Sequence, residues 1–195
     1  IGAFLTIAGY VVLTPVLTFY LLRDWDNLRS AAAGLVPEPR KGSVLSFARE
    51  YDGLLGRYLR GQVTVAAAMG LITGVGLAVL SFPHAAMLGL LVAVFNVVPY
   101  LGLLLSLVPA VFLALVSGSV GASLLKVAVV YGLAQVLESS VISPRVVGDS
   151  VGLHPVWVLL ALAVGGFYFG FTGLLIGVPA AVGIKLLVVR GVARY

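Results

Sequence analysis

Tyr131, Gln135 and Glu138 are spaced by four and three residues, so a helix would carry a phenol, an amide and a carboxylate on one face of the apolar segment from Gly121 to Glu138. Such a face could bind a polar solute or a cation. Burying the carboxylate at a bilayer centre costs about 2.5 to 3.5 kcal/mol or more, and a Glu that gives up its charge when buried could carry a coupling proton. The alternative is that Glu138 is a solvated helix end. A second set is Asn96-Val-Val-Pro99-Tyr100-Leu-Gly102. Pro99 removes a helix hydrogen bond and leaves carbonyls free to meet a ligand, an ion or water, beside the Asn96 amide and the Tyr100 phenol. Asn96 could equally do no more than cap the break. A third set, Gly165, Gly166, Gly170 and Gly173, permits a sharp turn and close backbone approach, and could line a pathway or merely pack.

Other polar residues carry blander readings. Arg145 could pair with Asp149 or Glu138, a structural role, and His154 stands beside the same loop. Lys126 and Lys185 can snorkel from near span ends. There is no His-Glu-x-x-His, no Gly-x-Ser-x-Gly and no phosphate-binding loop. The two histidines each stand beside a proline, and cysteine is absent, which removes thiolate chemistry and Cys-based metal sites. Catalysis, a bound metal and an organic cofactor are therefore not expected. A proton or Na+ remains as a coupling ion.

The elements that must position these groups are membrane helices. The 195 residues are 61% hydrophobic and 10% charged, with 24 glycines and a mean hydropathy of +1.16; a soluble domain carries roughly 25% charge. Long apolar runs without alternation exclude a barrel and leave helices. The net charge of +5 is explained by topology rather than by nucleic acid. Residue 1 is Ile, with no basic stretch before the apolar run, so neither a signal peptide nor a natural start is read and a longer parent chain is expected.

The expected order is a span at 1–22, kinked at Pro15, then a polar segment at 23–61. That segment carries seven of the twelve basic residues and by the positive-inside rule faces the cytoplasm. Within it Pro37 and Pro39 mark a turn, and an amphipathic helix at 43–60 lines up Val44, Phe47, Tyr51, Leu54, Leu55 and Tyr58. This stripe would lie along the membrane surface, or pack on other cytoplasmic protein. A span at 62–82 follows, with Gly70, Gly74 and Gly76 open to close packing. A hairpin at 84–117, a span at 121–138, a cytoplasmic loop at 139–153 and a hairpin at 154–190 complete a single transmembrane domain.

The two hairpins echo each other. Gly102-Leu-Leu-Leu-Ser-Leu-Val-Pro109-Ala110 returns as Gly173-Leu-Leu-Ile-Gly-Val-Pro179-Ala180, and Pro83 and Pro155 precede them by 19 and 18 residues. The leading arm from His84 to Phe95 would rise only about 18 Å against about 30 Å of hydrocarbon, so a re-entrant hairpin is expected. The first hairpin would enter from outside and the second from the cytoplasm, giving two inverted repeats, a transporter architecture with its site between them. Charge counting does not separate this from full crossings. It places 23–61 and the C-terminus on the cytoplasmic side of the plasma (inner) membrane.

Seven motifs, in order, resemble the autoinducer-2 exporter family of bacterial and archaeal membrane proteins: Tyr20-Leu-Leu-Arg-Asp-Trp-Asp26, Tyr58-Leu-Arg-Gly-Gln62, Asn96 to Gly102 with Pro109-Ala110, Gln135-Val-Leu-Glu138, Pro144-Arg-Val-Val-Gly148, Leu153-His-Pro155 and Gly165-Gly166. The resemblance implies a protein of about eight spans, of which this chain would begin inside the third. It implies secondary transport, export of the furanone autoinducer-2 or, for some members, exchange of sodium or lithium for protons. The polar positions it carries over are Asn96, Pro99, Tyr100, Gln135, Glu138, Pro144, Arg145, His154 and Pro155, and it leaves a homo-oligomer open.

Three functional classes follow: a transporter moving its hairpins in alternating access, a cation–proton exchanger resting on Glu138, and a channel or non-transporting scaffold. Saturation and coupling to a second gradient would separate the first two from the third.

Overall fold

The computed structural model describes residues 2–146 and 153–192. Among these all regular structure is helical. The chain divides into two units, Ile1–Glu50 and Tyr51–Tyr195. The first contains α1 (Gly2–Arg23), α2 (Trp25–Gly34) and the start of α3 (Glu38–Val79). Arg23 closes α1 by pairing with Asp24 at 3.0 Å and lying 4.9 Å over the Tyr20 ring. Pro37 and Pro39 do form the turn into α3, and Pro39 falls in the first helical turn, where its missing N–H has no partner to lose. Glu38 pairs with Lys41 at 2.8 Å.

α3 corrects the expectation of separate elements at 43–60 and 62–82, because one helix runs through Arg60, Gly61 and Gln62. No proline interrupts it, and a single interior glycine costs only about 0.5–1 kcal/mol. It ends at Val79, three residues early. Ser81 turns left-handed (φ 52°) and the Phe82 N–H reaches back to the Leu77 carbonyl at 2.9 Å, a Schellman closure ahead of Pro83.

In the second unit α4 (Ala85–Phe95) and α5 (Leu101–Leu115) are joined at Asn96–Tyr100, with Tyr100 at φ 67°. α6 (Val120–Leu137) follows. Residues of α3, α4, α5 and α6 share one core that includes Val65, Met69, Leu77, Leu88, Val92, Ala110, Ala114 and Val130. α3 and α4 meet at glycines: a Cβ on Gly70 would lie 2.7 Å from the Gly89 carbonyl oxygen, and one on Gly76 would lie 2.9 Å from Val130 of α6. Among the described residues three helices are long and apolar enough to cross a membrane, Glu38–Val79, Val120–Ile142 and Val156–Gly191.

The expected loop from 139 begins as helix. Residues Glu138–Ile142 form a π-helical turn in which the Ser143 N–H donates to the Glu138 carbonyl, followed by α7 (Ser143–Val146). Pro144 has no N–H to donate to the Ser140 carbonyl, which favours the wider turn. Gly148 and Asp149 lie outside the described residues.

α8 (Pro155–Val192) consists of two arms that reverse at Gly170, the one non-helical residue inside it (φ 59°, ψ −139°). The break expected over 165–173 is thus a single residue. Gly165 and Gly173 belong to the helical arms, where a Cβ on either would strike the other's carbonyl, and Gly177 likewise meets the Ala161 carbonyl. Only glycine adopts the Gly170 conformation without strain, so Gly170→Ala is expected to lower stability by about 1–3 kcal/mol, read as earlier thermal unfolding of the full-length protein in detergent.

The tyrosine stripe of α3 is also corrected. Tyr51, Leu54 and Tyr58 pack against Leu162, Leu174, Val178 and Val182 of α8, together with Val98 from the α4–α5 turn. The Tyr51 hydroxyl donates to the Pro179 carbonyl at 3.0 Å. This stretch is covered by the second hairpin rather than by a membrane surface, because an apolar stripe is satisfied by whichever apolar partner the chain brings to it.

Candidate functional site

The α4–α5 turn carries its polar residue inward. Asn96 is the C-cap of α4, its N–H bonding the Val92 carbonyl, and it is 2% exposed. Gly102 makes this possible, since a Cβ there would stand 2.6 Å from the Asn96 nitrogen. With α5 pressed so closely on the turn, the Asn96 side chain is directed at α6. Its Nδ2 donates to Glu138 Oε1 at 3.2 Å, while Gln135 Nε2 donates to Glu138 Oε2 at 3.4 Å. From the other side Gln62 Nε2 of α3 donates to the Asn96 carbonyl at 2.7 Å.

Four elements therefore converge on one carboxylate and three amides. Both Glu138 oxygens accept from neutral donors, and among the described residues no basic side chain lies within ion-pair distance. Glu138 is also the first residue of the π turn, an irregularity frequent at functional sites. Two turns back along α6, Tyr131 is buried with its hydroxyl beside Ser106 and, among the described residues, without a hydrogen-bond partner, while the Ser106 hydroxyl donates to the Gly102 carbonyl at 2.6 Å. An unsatisfied buried hydroxyl costs about 1–3 kcal/mol unless something occupies it. The arrangement can bind a small polar solute through amides and a phenol, or accept a proton or cation at Glu138.

Of the residues singled out from sequence, Asn96, Gln135 and Glu138 are joined directly, with Gly102 and Tyr131 alongside. Tyr100 faces outward and Pro99 is half-buried. Gly165 packs on Gly173, and a Cβ on Gly166 would meet the Leu174 side chain, so both hold α8 together. Pro109 lies within α5, and Pro179 serves through its carbonyl. Arg145 is exposed and forms no ion pair with Glu138. His154 accepts the Val156 N–H at the start of α8, next to Pro155, the first residue of that helix. Pro144 shapes the π turn. Gln62, read only as the end of a family motif, and Ser106, read only within the repeat, were not among the expected site residues. Its place in the motif Tyr58 to Gln62 and an uncharged amide at the start of an apolar run were the available signals for Gln62, and nothing along the chain relates it to a residue 34 positions away. Among the described residues no group of three His, Cys, Asp or Glu could hold a metal ion.

The family model described as "AI-2E family transporter" matches residues 1–192. The chain is similar to the candidate transport protein YrrI of Bacillus subtilis (strain 168), 36% identical over 90% of this chain and 49% of that protein. It is similar to the candidate permease PerM of Escherichia coli (strain K12), 29% identical over 94% and 52%, and to the candidate transport protein YueF of Bacillus subtilis (strain 168), 26% identical over 94% and 49%. The chain spans about half the length of these relatives. No solved structure is a significant match.

Proposed function

Because the chain belongs to the AI-2E transporter family, we propose that its parent protein is a secondary transporter that exports a small polar solute, autoinducer-2 or a chemically similar molecule. The observation that carries the reading is the junction of Asn96, Gln62, Gln135 and Glu138, a membrane carboxylate bonded only to neutral amides at the turn of a broken hairpin. An intramembrane carboxylate marks a substrate or ion pathway. Broken helices in paired repeats build transporter sites near the midplane.

On this reading 1–195 is one transmembrane domain, α4–α5 and α8 are inverted re-entrant hairpins, and transport proceeds by alternating access. The membrane is the plasma (inner) membrane, with 23–61 and the C-terminus cytoplasmic. Asn96, Pro99, Tyr100, Tyr131, Gln135 and Glu138 line the pathway, while Gly102, Pro109, Pro144, Arg145, Asp149, His154, Pro155, Gly165, Gly166, Gly173 and Pro179 shape or gate it. Copies of the protein could associate. A second reading, Na+(Li+)/H+ exchange, is favoured by the absence of a cationic partner at Glu138 among the described residues.

The test is flux from proteoliposomes holding the full-length protein, loaded with labelled autoinducer-2 under an imposed proton or sodium gradient. Saturable, gradient-dependent efflux is expected. Proton movement answering added sodium, without efflux, would replace export by exchange, and unsaturable conduction without coupling would point to a channel.

A further inference from the structure

Two cores divide the second unit, and the α4–α5 turn takes part in both. The first is built mainly from α3 to α6 and, among the described residues, includes none of α8. The second joins Tyr58 of α3 to both arms of α8, through Leu162 on one arm and Val178 and Val182 on the other. Among the described residues the segment from α4 to α6 enters this second core at two positions, Val98 within the turn and Leu101 just past it. Val98 is 4% exposed. Two residues earlier in the same turn, Asn96 reaches to Glu138 at the end of α6. The stretch that carries both side chains is tightly bonded to itself, since the Val98 N–H donates to the Phe95 carbonyl at 3.1 Å and the Leu101 N–H to the Val98 carbonyl at 3.2 Å.

Such a turn cannot yield at one end alone. Val98 is β-branched and stiff at χ1, and a close-packed interior transmits a displacement rather than absorbing it. The bond from Asn96 Nδ2 to Glu138 is 3.2 Å long, the upper limit for N–H···O, so moving the turn by a few tenths of an ångström breaks it. Gln62 holds the Asn96 main chain at 2.7 Å, which leaves the Asn96 side chain as the end that responds. Packing alone explains why a valine is buried; it does not explain why the residue that α8 covers stands two positions from the residue that holds the carboxylate. We propose that Val98 is a positioning residue through which α8 keeps Asn96 on Glu138, so that withdrawing the second hairpin from the turn opens the carboxylate site. The consequence for transport rests on the pathway proposed above, whereas the contact itself can be tested without any flux.

The experiment reads the Glu138 carboxylate in the full-length protein by infrared spectroscopy in nanodiscs, its band identified by its loss in Glu138→Gln. Asn96→Ala shows where that band moves when the bond is removed. Val98→Ala is expected to move it the same way, and Val98→Ile to leave it in place. Val130→Ala, which removes the same volume from the first core, should lower the midpoint of thermal unfolding comparably without moving the band. Leu162→Ala takes away the α8 side of the contact and should reproduce the Val98→Ala shift, so the outcome is decided even if Val98→Ala does not fold. In proteoliposomes Val98→Ala should lower maximal flux about tenfold, the lower end of what a hydrogen bond to a charged group is worth, with no further loss when Asn96→Ala is added. A band unmoved in both Val98→Ala and Leu162→Ala, or flux losses that multiply in the double variant, would overturn the assignment. A moved band in a protein whose wild type transports nothing would support the positioning role and remove the transport reading instead.

Discussion

Glu138→Gln is expected to reduce flux through the full-length protein by about ten- to a hundredfold without unfolding it. In the wild type Asn96 Nδ2 and Gln135 Nε2 both donate to the Glu138 carboxylate. A glutamine amide accepts at one oxygen only and presents its own N–H2 to the second donor, so one charge-assisted bond becomes a donor–donor contact. Hydrogen bonds to charged groups contribute about 1.5–3 kcal/mol each, which converts to that range of rates if the junction is formed differently at the two ends of the transport cycle. Asn96→Asp should be at least as damaging, because it sets a second carboxylate about 3 Å from the first. Proteoliposome flux with a thermal unfolding control checks both. Full flux in Glu138→Gln would remove the carboxylate from the mechanism and leave it a structural anchor for the α4–α5 turn. Gln62→Leu tests the anchor separately, since Gln62 touches Asn96 through its main chain and not through Glu138. If the three groups act as one unit, the loss in Gln62→Leu combined with Glu138→Gln will be smaller than the product of the single losses.

Gly89→Val should be strongly destabilising to the second unit. A Cβ at position 89 would lie 2.7 Å from both the Gly70 carbonyl oxygen and the Gly74 Cα. Both are backbone atoms, so no side chain can swing aside and α3 and α4 must separate. Overpacking costs about 1–3 kcal/mol and occasionally more. At this crossing the separation would also pull on Asn96, seven residues along, and through it on Glu138. The expected outcome is a large fall in the midpoint of thermal unfolding in detergent, together with lost flux. Gly132→Val on α6 is the control, since nothing lies within 4 Å of a Cβ there. Equal effects of the two substitutions would mean that the α3–α4 contact is not tight.

What could be read along the chain was whatever follows from local chemistry. Hydropathy and the lack of alternation required membrane helices, because a backbone in lipid must bond to itself. The Pro99 break, the echo of Gly102–Ala110 in Gly173–Ala180 and the polar face of α6 are all patterns within a few tens of residues. Seven motifs in order were enough for the family. Short-range chemistry also located Asn96, Gln135 and Glu138 as polar groups in apolar surroundings.

Tertiary structure decided everything that depends on which surfaces meet. A single helix through Arg60–Gln62 and a one-residue reversal at Gly170 could not be read from composition, because charge at 57–60 and glycine at 165–173 are each compatible with either a break or a continuous helix. The stripe of Tyr51, Leu54 and Tyr58 specifies burial but not its partner; the fold supplied α8 in place of a membrane surface. Gln62 joined the site for the same reason. Its amide has no local signature that sets it apart from a span-end residue, and only the α3–α4 crossing at Gly70 and Gly89 brings it within 2.7 Å of the Asn96 carbonyl. The residue types that can bind a polar solute in a membrane were thus determined by the sequence alone, whereas their assembly around one carboxylate came from glycine contacts that let three helices approach within backbone distance.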